Sequence, residues 1–543
     1  MDPWQTLVEL ARPSGGHFVR ASRASRRLRF ILELPDAASA PEMQERLEGL
    51  LGSAVSRLKP LFPRETGVLA RYFLLALPAS DDSVEPAVLH DCARALGERL
   101  DLLACEPEIA GEVVAPQLRQ GREIEIRSAW CLSHEDQPAN FNWALKNTKI
   151  IEAWSLVPGK GAGVLVAQPD TGIASHPVLN GASLRLDLAT DILDHDADPS
   201  DPLDPKTANP GHGTGTASVV IARKGKAMWG ASPGASLVPV RCIRDVKVFN
   251  PTPIAQAVQH ARNAGCHIVT MSLGGFTSSA LRRSTRAAVD ANMIVLAAAG
   301  NCIGSVVYPA RHRHVIAVAG TNEDDRPWKG TCRGHSVDVS APAEFVWRAG
   351  FDFGTGGGAR TEPGQGTSFA VALVAGAAAL WLAHHGRDRL VAEAVRRGIR
   401  LQQLFLAAVR RTARVPAGWD STALGAGILN AEALVALAPA NIPDIEPIAA
   451  SDRATMEELA RLVTEVTGVE AGPYTPDWLP FESEIANMAL SVSMLRAGQA
   501  NGERMDQPMA GASRGSQGLR RAVAAKHDKA LEHLLEMARE LPG

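Results

Sequence analysis

Apolar positions recur along this chain at two different periods, and the switches between them divide it. Leu28–Leu34 (LRFILEL) and Val68–Leu77 (VLARYFLLAL) are short dense apolar runs, which predicts strands. Pro41–Leu58 instead places Met43, Leu47, Leu50, Leu51, Val55 and Leu58 at helical spacing, and Pro86–Leu100 gathers Val88, Leu89, Cys92, Ala95 and Leu96 on one helix face. With a third strand expected over Leu102–Ile109, residues 1–115 read β-α-β-α-β. That order fits a small α+β (ferredoxin-like) domain with its helices on one sheet face. The polar stretch Gln117–Arg127 reads as a linker, within 116–139.

From about residue 140 to 440 the texture changes. Apolar runs at Gly163–Ala167, Leu237–Val240, His267–Met271, Ile294–Ala298 and Val315–Val318 alternate with helical segments at Gly213–Ala222, Pro253–Ala264, Ala280–Ala291 and Thr367–His384. Strands alternating with helices predict an α/β domain with a largely parallel sheet. Pro, Gly and Asp mark loops at Asp194–Gly213 and Gly350–Gly366. Ala438–Pro447 is a proline-containing linker. Residues 441–543 read as helical, over Ser451–Val466, Phe481–Ala497 and Leu519–Leu541, with a Gly/Ser-rich break at Ala510–Gly518.

Composition adds limits rather than a direction. A chain of 543 residues, 45% hydrophobic and 21% charged, is ordinary globular protein and is too long for one core. Its 56 Lys+Arg against 59 Asp+Glu give a net charge of −3, so no global pull toward nucleic acid or an anionic membrane is expected. Seven scattered cysteines without a CxxC pair argue against a cysteine zinc site and a disulfide framework. Their odd number leans toward a reducing compartment. The first residues lack a secretory pattern and the apolar run Phe369–Ala383 reads as a buried helix, so the expectation is a soluble cytoplasmic protein. The arginines Arg20, Arg23, Arg26, Arg27 and Arg29 read as a solvated edge.

Three motifs carry chemistry. An apolar strand ends in Asp170-Thr171-Gly172, a histidine opens a helix in Gly211-His212-Gly213-Thr214, and a serine opens an apolar helix in Gly366-Thr367-Ser368. A serine hydroxyl needs an imidazole to take its proton, and the imidazole needs a buried carboxylate to fix its tautomer. An acid at a strand's C-terminal end and two helix N-termini can converge at one edge of a parallel sheet, where ligands bind. A fourth pattern, Ala297-Ala298-Ala299-Gly300-Asn301, ends another apolar strand and offers an amide to a developing oxyanion.

These motifs, in this order, resemble the subtilisin-like serine proteases (subtilases, peptidase S8) over roughly Asn140–Leu437. The resemblance implies a subtilisin-like parallel sheet flanked by helices and a serine endopeptidase acting through an acyl-enzyme. It assigns Asp170, His212 and Ser368 to the triad and Asn301 to the oxyanion hole. It also implies that Ser272, Leu273 and Gly274 pair with an extended peptide while Ala298, Ala299 and Gly300 line the pocket before the scissile bond. By position and order only, the first domain is similar to a subtilase prodomain, which would gate activity; an unrelated regulatory or docking domain is the other reading. Polypeptide is the implied substrate, a regulatory protein a candidate partner, and no cofactor is required. The alternatives are a catalytically silent subtilase-fold binding protein and an esterase.

Other residues draw two readings each. The acidic run Asp187, Asp191, Asp194, Asp196, Asp198, Asp201 and Asp204 is either a solvated face or, through Asp194, Asp196 and Asp198, a calcium loop of the sort several subtilases carry. Cys302, beside Asn301, is expected as a small buried hydrophobe, with thiol-sensitive activity as the other reading. Arg311, His312, Arg313 and His314 are expected as a solvated loop, with an acidic partner as the alternative. His176 is expected as a loop histidine positioned by Pro177. Ala372 stands where the family often has proline.

Overall fold

The computed structural model describes residues 2–11, 27–52, 55–79, 84–109, 131–133, 140–207, 209–223, 225, 227–353, 358–445, 451–501 and 512–541. The linker expected over Gln117–Arg127 and three of the five arginines, Arg20, Arg23 and Arg26, lie outside them.

The first part folds as α1 (Pro3–Leu10), β1 (Arg27–Glu33), α2 (Ala40–Leu51), β2 (Lys59–Pro60), β3 (Tyr72–Pro78), α3 (Pro86–Leu100) and β4 (Ala104–Pro107). Its sheet runs β2-β3-β1-β4 and its pairs are antiparallel. Alternation along the strands gives the sheet two apolar faces. Phe30, Leu32, Leu75 and Leu77 pack on Leu47, Leu89 and Leu96 of the two helices, whereas Ile31 and Tyr72 point the other way into the core of the central domain. The expected helix Pro41–Leu58 stops at Leu51 because Gly52 adopts φ +79°.

The central domain comprises α4 (Trp143–Asn147), α5 (Ile150–Leu156), β5 (Leu165–Asp170), β6 (Ser183–Leu184), β7 (Thr190–Asp191), α6 (His212–Ile221), β8 (Ser236–Arg241), β9 (Lys247–Val248), α7 (Thr252–Asn263), β10 (Ile268–Met271), β11 (Gly274–Gly275), α8 (Ser279–Asp290), β12 (Ile294–Ala298), β13 (Ile316–Thr321), β14 (Val339–Pro342), β15 (Val346–Asp352), β16 (Gly358–Gly364), α9 (Thr367–His385), α10 (Arg387–Arg396), α11 (Leu401–Thr412), α12 (Ser421–Leu424) and α13 (Ala431–Ala436). The large sheet is parallel, ordered β14-β13-β12-β10-β5-β8-β6, with β7 also on β8. Both its faces are covered, which is why its strands read as unbroken apolar runs. Val166, Ile268, Leu296 and Val318 face α6 and α9, and Ala167, Val269, Val295 and Ala317 face α7 and α8. The expected buried helix is α9: it is long and apolar enough to cross a membrane, yet 89% of its apolar window is buried within the fold.

Of the glycine-rich stretch Gly350–Gly366, expected as a loop, residues 350–352 and 358–364 belong instead to the antiparallel pair β15–β16, with Val346 opposite Gly364 and Asp352 opposite Gly358. Glycine and proline there hid a strand that lies at an edge, where both are tolerated.

The last part contributes α14 (Asp452–Thr467), α15 (Glu482–Ala500), α16 (Gln517–Lys526) and α17 (Lys529–Met537). Their shared core includes Phe276 and Tyr308 of the central domain. The expected solvated loop at residues 311–314 is this contact. Arg311 is fully buried, donating to the Val306 carbonyl at 3.0 Å and to Glu465 at 2.5 Å, and His312 and His314 are buried beside it. The acidic partner of that basic run is thus the chain's own helix α14, through Glu457, Glu458 and Glu465. The same helices clasp the first domain. Glu484 of α15, wholly buried, accepts from Arg94 of α3 at 3.0 Å and from the Ser516 amide at 2.6 Å. Asp91 of α3 accepts from the Gln517 and Gly518 amides at 2.8 Å each.

Glu458 sits under Arg313, whose amide reaches it at 3.3 Å, with Glu482 also nearby. Burial lifts its carboxyl to about 7 from an ordinary 4.5, against the pull of Arg311 and Arg313. A raised carboxyl adds stability that is full below the unfolded-state value and is lost as pH rises through the folded one. Relative to Glu458→Gln, the native chain should therefore lose denaturation stability between about pH 4.5 and about pH 7 and no more above. A difference that stays flat with pH would contradict this.

Candidate active site

Strand β5 carries Asp170 to the C-terminal edge of the sheet, where it is 1% exposed. Its Oδ1 accepts from His212 Nδ1 at 2.8 Å and from the Thr171 amide at 2.7 Å. Its Oδ2 accepts from Thr216, one helical turn beyond His212, at 3.2 Å. A carboxylate can only accept, so Nδ1 carries the proton and Nε2 is left as the base.

The histidine turn is clamped onto the tip of β5. Thr171 accepts from the Gly213 amide at 3.0 Å and donates to Asp201 at 2.6 Å, and Asp201 accepts from the Gly211 amide at 2.9 Å. Gly213 is required by contact, since a Cβ there would stand 2.2 Å from the Gly172 carbonyl oxygen. Asp201 and Thr216 are positioning residues that the motif pattern did not single out. Asp201 looked like one more member of an acidic run.

The remaining acids of that run are occupied locally. Asp194 pairs with Arg241 at 2.6 Å and is held below the usual carboxylate range by it, Asp196 accepts from the Asp198 amide at 2.9 Å, and Asp198 accepts from Ser200. They do not converge on a common point, and among the described residues no group of three His, Cys, Asp or Glu is placed to hold a metal ion. The calcium reading of Asp194, Asp196 and Asp198 therefore does not fit this donor set.

Ser368 is the second residue of α9 and is buried. Its hydroxyl donates to the Ser272 carbonyl at 3.2 Å, and the Ser272 hydroxyl returns a bond to the Ser368 carbonyl at 2.9 Å. Rotation about χ1 has to turn the hydroxyl toward His212 for proton transfer, a tightening expected when substrate arrives. Asn301 accepts at Oδ1 from the Thr367 amide (2.9 Å) and hydroxyl (2.8 Å), which leaves Nδ2 as its donor end. A Cβ on Gly366 would stand 3.3 Å from that Nδ2. The Asn301 amide and the first turn of α9, which has no side-chain cap, thus bracket the place beside Ser368 where an oxyanion forms.

The subtilase family model matches residues 161–423. Subtilisin Savinase of Lederbergia lenta is 34% identical over 258 residues, 46% of this chain and 82% of that protein. The chain belongs to the subtilase family. Thermitase of Thermoactinomyces vulgaris is 32% identical over 242 residues, 44% of this chain and 80% of that protein, and the alkaline protease of Shouchella clausii is 29% identical over 323 residues, 56% and 74%. Like these relatives, the subtilase is a serine endopeptidase.

The edge at Ser272-Leu273-Gly274, expected to take a peptide strand, is partly closed. The Gly274 amide donates to the Val246 carbonyl at 3.1 Å in the β9–β11 pairing, and the Gly275 amide donates to the Tyr308 carbonyl at 2.8 Å in a separate bridge. A peptide strand adding at Ser272-Leu273-Gly274 has to pair at Leu273 or displace β9. Ala298 and Ala299 are buried, and the Ala299 backbone bonds Val318 and Val307. Gly300 adopts φ +111°.

One expectation is corrected here. Cys302 is neither a lone hydrophobe nor a thiol: it forms a disulfide with Cys131, 171 residues away in sequence. The other five cysteines are free, and the cysteine-count argument for a reducing compartment loses its footing. His176 is the loop histidine expected before Pro177, where its ring caps the turn Pro177–Leu179; it is buried, and its Nε2 sits 3.2 Å from the Gly350 carbonyl and 3.0 Å from that of Arg360, pinning the β15–β16 hairpin.

Asp201→Ala should lower kcat roughly 10- to 100-fold through a displaced His212, with the chain still folded. Steady-state kinetics with and without added calcium check this: recovery by calcium would make Asp201 a metal ligand and contradict the anchoring role.

Proposed function

We propose that this subtilase cleaves extended polypeptides by acylation of Ser368 and that its first domain gates the cleft. His212 takes the Ser368 proton as the hydroxyl attacks the scissile carbonyl, then gives it to the leaving amine; Asp170 stabilises the imidazolium. Asn301 Nδ2 and the Ser368 amide hold the oxyanion. Water activated by His212 then releases the acyl group. The observation that carries this reading is the His212–Asp170 bond of 2.8 Å on a carboxylate that already accepts two further donors.

The gating reading is supported by where the first domain sits. Its sheet packs through Ile31 and Tyr72 on the core beneath α7 and α8, and Glu106 of β4 accepts from the Ser279 amide at 2.9 Å and hydroxyl at 2.8 Å at the start of α8. Burial, with Glu482 nearby, raises the Glu106 carboxyl against the hydrogen bonds from Ser279. Ile109 lines a small cavity with Asn250 and Thr277, and Cys131 is bonded to Cys302, the residue after Asn301.

The test is hydrolysis of a chromogenic peptide amide and of the matching ester by the full chain, by Ser368→Ala and by Glu106→Ala. The reading expects amide and ester cleavage lost in Ser368→Ala and amide cleavage raised several-fold in Glu106→Ala. Ester cleavage alone would make the chain an esterase. Equal, Ser368-independent rates would leave a silent binding protein, and an unchanged rate in Glu106→Ala would remove the gating.

A further inference from the structure

The described residues 131–133 touch the catalytic centre at two places that the motif pattern does not connect. On one side, Cys131 is bonded to Cys302, the residue after Asn301, with a Cα separation of 5.8 Å. On the other, the Ser133 amide donates to Gln365 Oε1 at 2.9 Å while Gln365 Nε2 donates to the Ser133 carbonyl at 2.9 Å. Gln365 is the residue before Gly366-Thr367-Ser368 and also accepts from Trp328 Nε1 at 3.2 Å. The Ser133 hydroxyl bonds Glu344, which is itself buried.

Asn301 sits on a tight turn. Gly300 has φ +111° and Cys302 φ +63°, a left-handed conformation that costs a residue with a Cβ and persists only where surroundings hold it. The Cys302 amide donates to the Gly330 carbonyl at 2.8 Å and the Cys332 amide to that of Gly300 at 2.9 Å. Those bonds hold the backbone on one side. The disulfide adds a covalent anchor on the other, and its second end leads within two residues to the segment preceding the nucleophile.

We propose that residues 131–133 are a strap that sets the distance between the two oxyanion donors, with Cys131, Cys302 and Gln365 as positioning residues for Asn301 and Ser368. The inference rests on the roles given above to Asn301 and Ser368. Because the donors act on charge that develops only in the transition state, loosening the strap lowers kcat and leaves KM nearly unchanged.

The test is a double-mutant cycle on the full chain with a peptide amide substrate. Cys131→Ser and, separately, Gln365→Ala, which severs the other attachment and leaves the disulfide intact, should each lower kcat about 10-fold with KM within about two-fold. Asn301→Ala should lower kcat about 10²–10³-fold, the magnitude established on subtilisin itself. In the Asn301→Ala background, Cys131→Ser and Gln365→Ala should cost less than about two-fold more, since with one donor gone the distance between the two no longer matters. If both losses persist in full in that background, or are absent in both backgrounds, the strap is structural only and the proposal falls. If Cys131→Ser fails to fold, Gln365→Ala decides. If Asn301→Ala itself leaves kcat unchanged, the oxyanion assignment fails first and takes the strap with it.

Discussion

A single buried charge organises the centre of this molecule. Asp170 is carried to the sheet edge by β5 and is almost without solvent, so its carboxylate is tolerable only if donors replace the lost water. Three do: the His212 ring, the Thr171 amide and the Thr216 hydroxyl. Each of these fixes something else. Thr171 and Asp201 bind the amides that flank His212, Thr216 ties the carboxylate to the helix the histidine opens, and Gly213 lets that helix start against the Gly172 carbonyl. The chemistry needs an imidazole of one tautomer, and the carboxylate imposes it.

Around this point the chain builds in both directions. The parallel sheet sends the acid, the histidine turn and the nucleophile helix to the same edge, as such sheets do with ligand sites. Outside it, the first domain packs on α7 and α8, and the last helices grip both. Arg94 and Glu484 join first domain to last, while Arg311 and Glu465 join last to central. Buried pairs of this kind contribute little net stability but are costly to break singly, so they fix which surfaces meet. The last helices also touch the turn beyond the oxyanion residue, where Ser493 donates to the Ile303 carbonyl at 2.9 Å.

What the sequence reveals follows from how local the signal is. Asp170 and His212 each lie in a short run whose neighbours are dictated by the same turn, and their 2.8 Å bond follows from those runs. β10, β12 and α9 were legible because burial on both faces makes continuous apolar runs. The β15–β16 hairpin was not, since Gly350, Pro363 and Gly364 mimic a loop. The docking of Arg311 and Arg313 on the last helices was illegible because their partners Glu457, Glu458 and Glu465 lie some 150 residues away by sequence number. The Cys131–Cys302 bond was hidden in the same way: nothing in either neighbourhood marks a pair, and an odd total argued the reverse.

The measurement that bears most directly on the central claim is covalent labelling of the native full chain by a fluorophosphonate, read by peptide mass. A base held by Asp170 should activate one hydroxyl, so the account predicts a single adduct on Ser368 that is lost in His212→Ala. No adduct on Ser368, or an adduct that persists without His212, would contradict it.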